Sequence, residues 1–150
     1  QGIVIWAPTR ANNLILGNQI GMNLPSNPSP NYSFGIELVG GTRSVVGGTT
    51  TAERNILLAD QTFTMVVSSD HNIILGNDFG LKPDGTAAQR QSNTHIWVRG
   101  YRPIIQGNRM AYAVERAVMS NEGMDAILRR NVVYSNGVAG YASDGLSTRD

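Results

Sequence analysis

The sequence of this 150-residue chain predicts an all-β fold in which about five to six coils of short parallel strands wind around one axis. First, the stretch NNLILGN at residues 12–18 returns almost unchanged as HNIILGN at residues 71–77. Second, 17 glycines and 14 asparagines favour many tight turns and disfavour helices. Third, short runs of aliphatic and β-branched residues stand between these turns, as is typical of strands.

The glycine of the LGN unit marks a repeat along the chain. Gly17, Gly47, Gly76 and Gly107 occupy the marker position, and Arg130 takes it in the fifth unit, with steps of 30, 29, 31 and 23 residues. The position two residues before the marker is always aliphatic: Ile15, Val45, Ile74, Ile105 and Leu128. The position three residues after it is apolar in four units of five: Ile20, Thr50, Phe79, Met110 and Val133. This constancy predicts stacked coils, because each corner must fit on the one below.

Each unit also contains a second strand with alternating apolar residues. These strands are GIVIW, GIELV, FTMVV, HIWV and AVM. A helical solenoid would need apolar spacings of three, four and seven residues, which are absent apart from a loose match between Ala111 and Ala126. An antiparallel meander would not need the same Gly-Asn corner in every unit, so coils of parallel strands are favoured.

Stacked coils should place like side chains over like, about 4.8 Å apart. Matched asparagines can then hydrogen-bond along the stack, as in the amide ladders of stacked sheets. The repeat predicts such a column from Asn18, Asn77, Asn108 and Asn131, interrupted by Gly48.

Two polar segments, Met22–Ser33 and Leu81–Asn93, interrupt the coils as loops. Both follow the same strand of their coil. We therefore expect them to project from one side, where they could flank a groove.

Composition excludes several classes of function. The chain has no cysteine, which rules out disulfides, thiolate metal sites and cysteine nucleophiles. A net charge of +1 gives no electrostatic reason to expect nucleic acid as a partner, and no apolar run reaches the length of a membrane span. We expect one domain over residues 1–150. The opening GIVIW resembles a strand interior and the tail YASDGLSTRD a partial last coil, so we expect a fragment of a longer protein whose coil ends could self-associate.

The stretches NLILGNQIG, RSVVGGTTTAERNILLAD and NIILGNDFG resemble the right-handed parallel β-helix repeats of bacterial and phage extracellular proteins, within the pectate-lyase-like superfamily. The resemblance implies a right-handed parallel β-helix and an extracellular, cell-surface or virion location. It also implies a polysaccharide or cell-surface glycan as partner.

Alternation within the second strands predicts an outer face that carries Trp6, Glu37, His95, Trp97 and Arg99. An exposed tryptophan offers a flat apolar surface to the C–H groups of a sugar. Trp6 and Trp97 lie three coils apart, about 14 Å at the usual strand spacing. Arginine and tyrosine are frequent in the second half of the chain, and arginine binds carboxylates bidentately, so an acidic sugar is a conceivable ligand. The expected ligand-binding residues are Trp6, Glu37, Trp97, Arg99 and Tyr101.

The resemblance also suggests candidate catalytic residues. Asp70-His71 matches two residues of a pectate lyase motif, although the favoured interpretation is that Asp70, His71 and Asn72 form a polar corner before IILG. His95 and Arg99 complete the candidate set. The acidic residues are scattered, so neither a metal site nor a cofactor is expected. The favoured function is an extracellular or virion-associated module that binds a glycan without catalysis of its own. The alternatives are a polysaccharide lyase, hydrolase or epimerase, and a structural spacer or assembly subunit.

Overall fold

The computed structural model of the chain describes residues 2–6, 9, 11–23, 27–28, 34–58, 62–88, 92–121 and 124–143. All regular elements in these ranges are strands, and no helix there could cross a membrane. In chain order the strands are β1 (Ile3–Ile5), β2 (Leu14–Ile15), β3 (Gln19–Ile20), β4 (Met22–Asn23), β5 (Asn27–Pro28), β6 (Phe34–Leu38), β7 (Val45–Gly47), β8 (Ile56–Leu57), β9 (Phe63–Val67), β10 (Ile73–Leu75), β11 (Asp78–Phe79), β12 (Thr94–Val98), β13 (Ile104–Gln106), β14 (Arg109–Ala111), β15 (Arg116–Ser120), β16 (Ile127–Arg129), β17 (Val132–Tyr134) and β18 (Ala139–Ser143).

Sixteen of these strands form three parallel sheets. Sheet 1 contains β1, β6, β9, β12, β15 and β18; sheet 2 contains β2, β7, β10, β13 and β16; sheet 3 contains β3, β8, β11, β14 and β17. The chain visits sheets 1, 2 and 3 in turn five times, and β18 begins a sixth coil. The predicted all-β parallel β-helix is therefore confirmed. Coils are numbered 1 to 6 from the strand of sheet 1 that opens each of them.

The core lies inside the coils and is built from columns of like residues. Sheet 2 contributes Ile15, Val46, Ile74, Ile105 and Leu128, and sheet 3 contributes Ile20, Leu57, Phe79 and Met110. Sheet 1 contributes Ile36, Met65, Ile96 and Val118. Each fully buried aliphatic side chain stabilises the fold by roughly 1.5–3 kcal/mol.

The second coil departs from the predicted frame by one residue. Val46, not Val45, aligns with Ile15 and Ile74, so the marker position of this coil belongs to Gly48 and not to Gly47. Two adjacent glycines made both assignments compatible with the sequence. The sheet 3 position that Thr50 was expected to fill is occupied by Leu57, because residues 49–54 form an extra turn.

An unbroken asparagine ladder runs through coils 1 to 5 at the corner between sheets 2 and 3. Side-chain oxygens accept bonds from backbone N–H groups one coil away: Asn18 to Asn55 at 2.9 Å, Asn55 to Asn77 at 3.2 Å, Asn77 to Asn108 at 2.9 Å and Asn108 to Asn131 at 3.0 Å. The predicted bonding along the stack is confirmed. The predicted interruption at Gly48 is wrong, because the extra turn brings Asn55 into the column.

The corner between sheets 1 and 2 is formed by residues with left-handed backbone. Asn12, Arg43, His71, Arg102 and Asp125 have φ between 49° and 63° and stand at the same position of successive coils. Their side chains therefore form one row along this edge of the molecule.

Both predicted loops leave sheet 3 and return to sheet 1, as expected. The first begins with an antiparallel pair between β4 and β5. In the second loop, Leu81 and Ala87 form an isolated antiparallel β-bridge. The turn between them is closed by a 2.8 Å hydrogen bond from the Gly85 N–H to the Lys82 carbonyl oxygen. Residues 24–26, 29–33 and 89–91 lie outside the described residues, so the groove remains a prediction.

Candidate functional site

The outer face of sheet 1 is the surface on which most of the predicted ligand-binding residues lie. Glu37, Val66, Trp97 and Met119 share one register position on neighbouring strands. The residues before and after them in each strand are buried. Glu37 and Trp97 therefore point away from the core, as alternation predicted.

Three aromatic rings follow one another along this face; we call Phe34, Phe63 and Trp97 the aromatic row. The ring centroids of Phe34 and Phe63 are 6.2 Å apart. Phe63 stacks on Trp97 with centroids 4.6 Å apart and planes inclined by 25°. All three rings are partly exposed, so the row presents a continuous apolar strip across coils 2 to 4.

Polar groups hold the Trp97 ring in place at its edge and over its face. The indole N–H donates to Asn121 Oδ1 at 3.1 Å, and the Arg99 guanidinium carbon lies 4.8 Å from the ring centroid. This distance is within the range of a cation–π interaction. Arg99 and Asn121 are exposed, so the site combines a fixed flat ring with hydrogen-bonding groups at its border.

Trp6 lies on the same side of the molecule but in another column. It follows β1 as Arg99 follows β12, so it aligns with Arg99 and not with Trp97. Its side chain is 78% exposed, and it belongs to coil 1 while Trp97 belongs to coil 4. The predicted three-coil separation is confirmed, which places the two indoles about 14 Å apart along the axis.

Sequence reasoning missed Phe34 and Phe63 because alternation breaks at the start of the sheet 1 strands β6, β9, β12 and β15. In β6 and β15 the second and third residues are both buried while the first is partly exposed, and β9 begins in the same way. The chain is still turning the corner from sheet 3 there, so the second side chain points into the corner. The visible signal was a small or polar residue at this second position, such as Gly35 or Thr64.

Because of the same break in alternation, the predicted position of His95 on the outer face is wrong. His95 is the second residue of β12, and it is fully buried instead of lying on the outer face. Its Nε2 lies 2.8 Å from the carbonyl oxygen of Ala111, and its Nδ1 lies 3.2 Å from Thr64 Oγ1. A carbonyl oxygen only accepts, so Nε2 donates and Nδ1 accepts from the threonine hydroxyl.

Burial controls the charge of this imidazole. Desolvation lowers the pKa of His95 from 6.5 to about 4, although the bond to Ala111 opposes the shift. His95 is therefore neutral at neutral pH, and it has no exposed surface with which to contact a ligand.

Asp70, His71 and Tyr101 lie at the corner between sheets 1 and 2. Asp70 Oδ1 accepts a 2.8 Å bond from the backbone N–H of Tyr101, and the His71 ring meets Tyr101 edge to face with centroids 5.9 Å apart. Asp70 and His71 therefore form the polar corner that was the alternative to a catalytic pair. His95 lies at the opposite end of the sheet 1 strands, so the four catalytic candidates do not converge.

An ion-pair cluster on the outer face of sheet 3 was not predicted. Asp78 is 2% exposed and receives bonds from Arg109 Nε at 2.6 Å and Nη2 at 2.5 Å, while Arg54 Nη1 lies at 3.3 Å. The bond to Asp78 raises the pKa of Arg109. The repeat contained the signal, because Asp78 and Arg109 are separated by the same 31 residues as Gly76 and Gly107. Charge pairing within the fold accounts for the cluster.

In the part of the chain that the structure describes, no three histidine, aspartate or glutamate side chains are close enough to share a metal ion. None of the known families, curated proteins or solved structures compared with this chain matches it.

Proposed function

We propose that the chain is a β-helix module that binds a polysaccharide or cell-surface glycan on the outer face of sheet 1, without catalysis of its own. We further propose an extracellular, cell-surface or virion location and a place in the pectate-lyase-like superfamily. The observation that carries the proposal is the aromatic row, with Trp97 held between Phe63, Arg99 and Asn121.

The chemistry of this surface suits a sugar better than a purely apolar partner. A pyranose ring has an apolar C–H face and hydroxyl groups around its edge. The partly exposed rings of the aromatic row can pack against the C–H face, while Arg99 and Asn121 can bond to the hydroxyls. Because Trp97 is already fixed by its neighbours, binding would cost little side-chain entropy.

Binding of the full chain to a glycan array, followed by affinity measurements on the best ligand, tests the proposal. We expect Trp97→Ala to weaken binding at least tenfold, which corresponds to about 1.4 kcal/mol. Tyr134→Ala is the matched control, because Tyr134 is an exposed aromatic residue on sheet 3, and it should bind like the wild type. Absence of binding by the wild type, or equal affinity of the Trp97→Ala variant, would refute the proposal.

A second candidate function is that of a spacer or assembly subunit. It is favoured by strand edges that are unpaired among the described residues, where β1, β2 and β3 each have one neighbouring strand. Unpaired strand edges can receive strands of another chain. Concentration-dependent end-to-end growth without any glycan binding would support this function instead.

The enzymatic alternative keeps its own test. Release of unsaturated or shortened sugars from a panel of polyuronates would establish a lyase or hydrolase. Asp70, His71 and Arg99 would then be the residues to replace first.

A further inference from the structure

The outer face of sheet 2 carries a column of aliphatic side chains that are exposed or partly exposed. Leu14, Val45, Ile73, Ile104 and Ile127 are Cα partners on successive strands. We call these five residues the aliphatic column. Leu14 is 66% exposed and the other four are partly exposed, because neighbours in the column cover only their flanks.

The other two outer faces are chemically different. Sheet 1 carries Glu37 and Arg99 beside its aromatic row, and sheet 3 carries the Asp78–Arg109 ion pair. The aliphatic column has no polar side-chain atom, so it cannot recognise a sugar or a phosphate by hydrogen bonds. The surface that it fits is another flat aliphatic surface.

We propose that two copies of the chain associate side by side through the aliphatic column, with parallel helix axes related by a two-fold axis along the helix direction. In such an isologous contact the aliphatic column of one copy packs against the aliphatic column of the other.

Charges on the two flanks of the column argue for a second copy as the occupant. On the flank nearer sheet 1, Arg43 lies in coil 2 and Asp125 in coil 5. On the flank nearer sheet 3, Glu53 packs beside Gly48 of coil 2, and Arg129 is exposed in coil 5. The order of charges is therefore opposite on the two flanks.

A two-fold axis along the helix direction brings opposite flanks together at the same height. Arg43 then faces Glu53 of the other copy, and Arg129 approaches Asp125, which already pairs with Arg102 at 3.0 Å. An antiparallel arrangement would instead bring like flanks together and place Arg43 opposite Arg102. Attraction in the first case and repulsion in the second select the parallel dimer.

The size of the face sets the expected affinity of the dimer. Five coils and about six residues of width give a face of roughly 20 Å by 20 Å, or about 400 Å² on each copy. This is about half of what a standard stable interface buries on one partner. We therefore expect a reversible dimer that forms in the range of about 10 µM to 1 mM, corresponding to a weak complex.

Sedimentation of the full chain over this concentration range tests the proposal. The wild type should shift from monomer to dimer, and the double substitution Ile73→Thr and Ile104→Thr should weaken dimerisation at least tenfold. Threonine keeps the β-branched shape that strands favour, and circular dichroism checks the fold. The matched control, Ile56→Thr with Val132→Thr on the outer face of sheet 3, should dimerise like the wild type. A monomeric wild type at every concentration, or an unchanged Ile73/Ile104 variant, would overturn the proposal.

A charge exchange tests the parallel arrangement. Arg43→Glu should weaken dimerisation, because it places a glutamate opposite Glu53 of the other copy. Adding Glu53→Arg should restore it. Stronger dimerisation of the Arg43→Glu variant would indicate the antiparallel arrangement, in which this residue faces Arg102, and would contradict the proposal.

Discussion

The imidazole of His95 is held neutral inside the fold by contacts that satisfy both of its nitrogens. Gly80 makes room for it, because a Cβ on Gly80 would lie 2.8 Å from Cε1 of the ring. Thr64, which binds Nδ1, also contacts the hydroxyl of Ser92, so the polar chain continues into the neighbouring corner. The role of His95 is therefore to fill a buried corner with a polar group whose partners are all inside the chain.

This arrangement predicts a defined dependence of stability on pH. The pKa of His95 is about 4 in the folded chain, below its ordinary value of 6.5, so the unfolded chain binds the proton more readily. The stabilisation is present in full above pH 6.5 and is lost as the pH falls towards 4. We expect this residue alone to lower the free energy of unfolding by about 3 kcal/mol across that window.

Urea denaturation at a series of pH values measures the effect. In the His95→Gln variant this part of the slope between pH 6.5 and 4 should disappear, whatever its stability at pH 8. An equally steep slope in wild type and variant would show that His95 is not a buried neutral group in the folded chain.

Asn77 is the central rung of the asparagine ladder, and its side chain is fully buried. Its Nδ2 donates to the carbonyl oxygen of Val46 at 2.9 Å and to Asn108 Oδ1 at 3.1 Å, and its Oδ1 accepts two bonds from Asn55. Asn77→Ala removes four hydrogen bonds to buried partners, so we expect a loss of roughly 2–4 kcal/mol in stability.

Asn18→Ala provides the matched control for this prediction. Asn18 ends the ladder and is partly exposed, so water can replace its bonds and the loss should stay below about 1 kcal/mol. Thermal or urea denaturation compares the two variants. Equal losses of stability in the two variants would mean that the buried hydrogen bonds of Asn77 do not stabilise the fold more than the partly exposed bonds of Asn18.

At the scale of the element, left-handed residues form the corners after the sheet 2 strands, and at Gly76 this residue lies in close contact with the coil beside it. Gly76 has φ +67°, and a Cβ there would lie 2.1 Å from the carbonyl oxygen of Gly48. We expect Gly76→Ala to destabilise the chain by about 3 kcal/mol or more, since backbone strain adds to a clash with backbone.

Gly85→Ala separates the effect of backbone strain from the effect of the clash with the neighbouring coil. Gly85 has φ +82° in the loop after β11, and nothing lies within 4 Å of the position of its Cβ. It should therefore show only the strain of a left-handed alanine, about 1–2 kcal/mol. Should both variants lose the same stability in urea denaturation, the close approach of coils at Gly76 would be disproved.

The sequence correctly predicted which strand residues face the core wherever the repeat was regular. The prediction failed where the backbone turned a corner. Ile74 and Ile105 could be placed correctly because both Gly-Asn corners impose the same register. Val45 was placed inside because Gly47 and Gly48 fit the marker equally well. His95 was placed outside because strict alternation does not hold in the first residues of a strand that is still leaving a corner.

At the scale of the whole molecule, a uniform interior supports three different surfaces. The core columns repeat from coil to coil, whereas sheets 1, 2 and 3 present an aromatic, an aliphatic and a charged outer face. The interior was predictable because stacking restricts it to similar residues. The aromatic row could not be predicted in this way, because it depends on the directions of the side chains at the first residues of the strands. Trp6, Glu37, Trp97 and Arg99 were nevertheless placed on the correct side.

Disulfide formation between neighbouring coils tests the central claim, the parallel in-register winding of the chain, most directly. The chain has no cysteine of its own, so an engineered pair reports on one contact. Glu37 and Val66 are Cα partners on β6 and β9, which places them about 4.8 Å apart, within the reach of a disulfide. Glu37 and Ser68 are two residues out of register, about 8 Å apart and too distant.

We therefore expect the Glu37→Cys/Val66→Cys variant to oxidise within one chain, and the Glu37→Cys/Ser68→Cys variant to remain reduced, as read from intact mass under non-reducing conditions. Oxidation of the second pair in preference to the first would contradict the register on which the core columns, the asparagine ladder and both proposed binding surfaces depend.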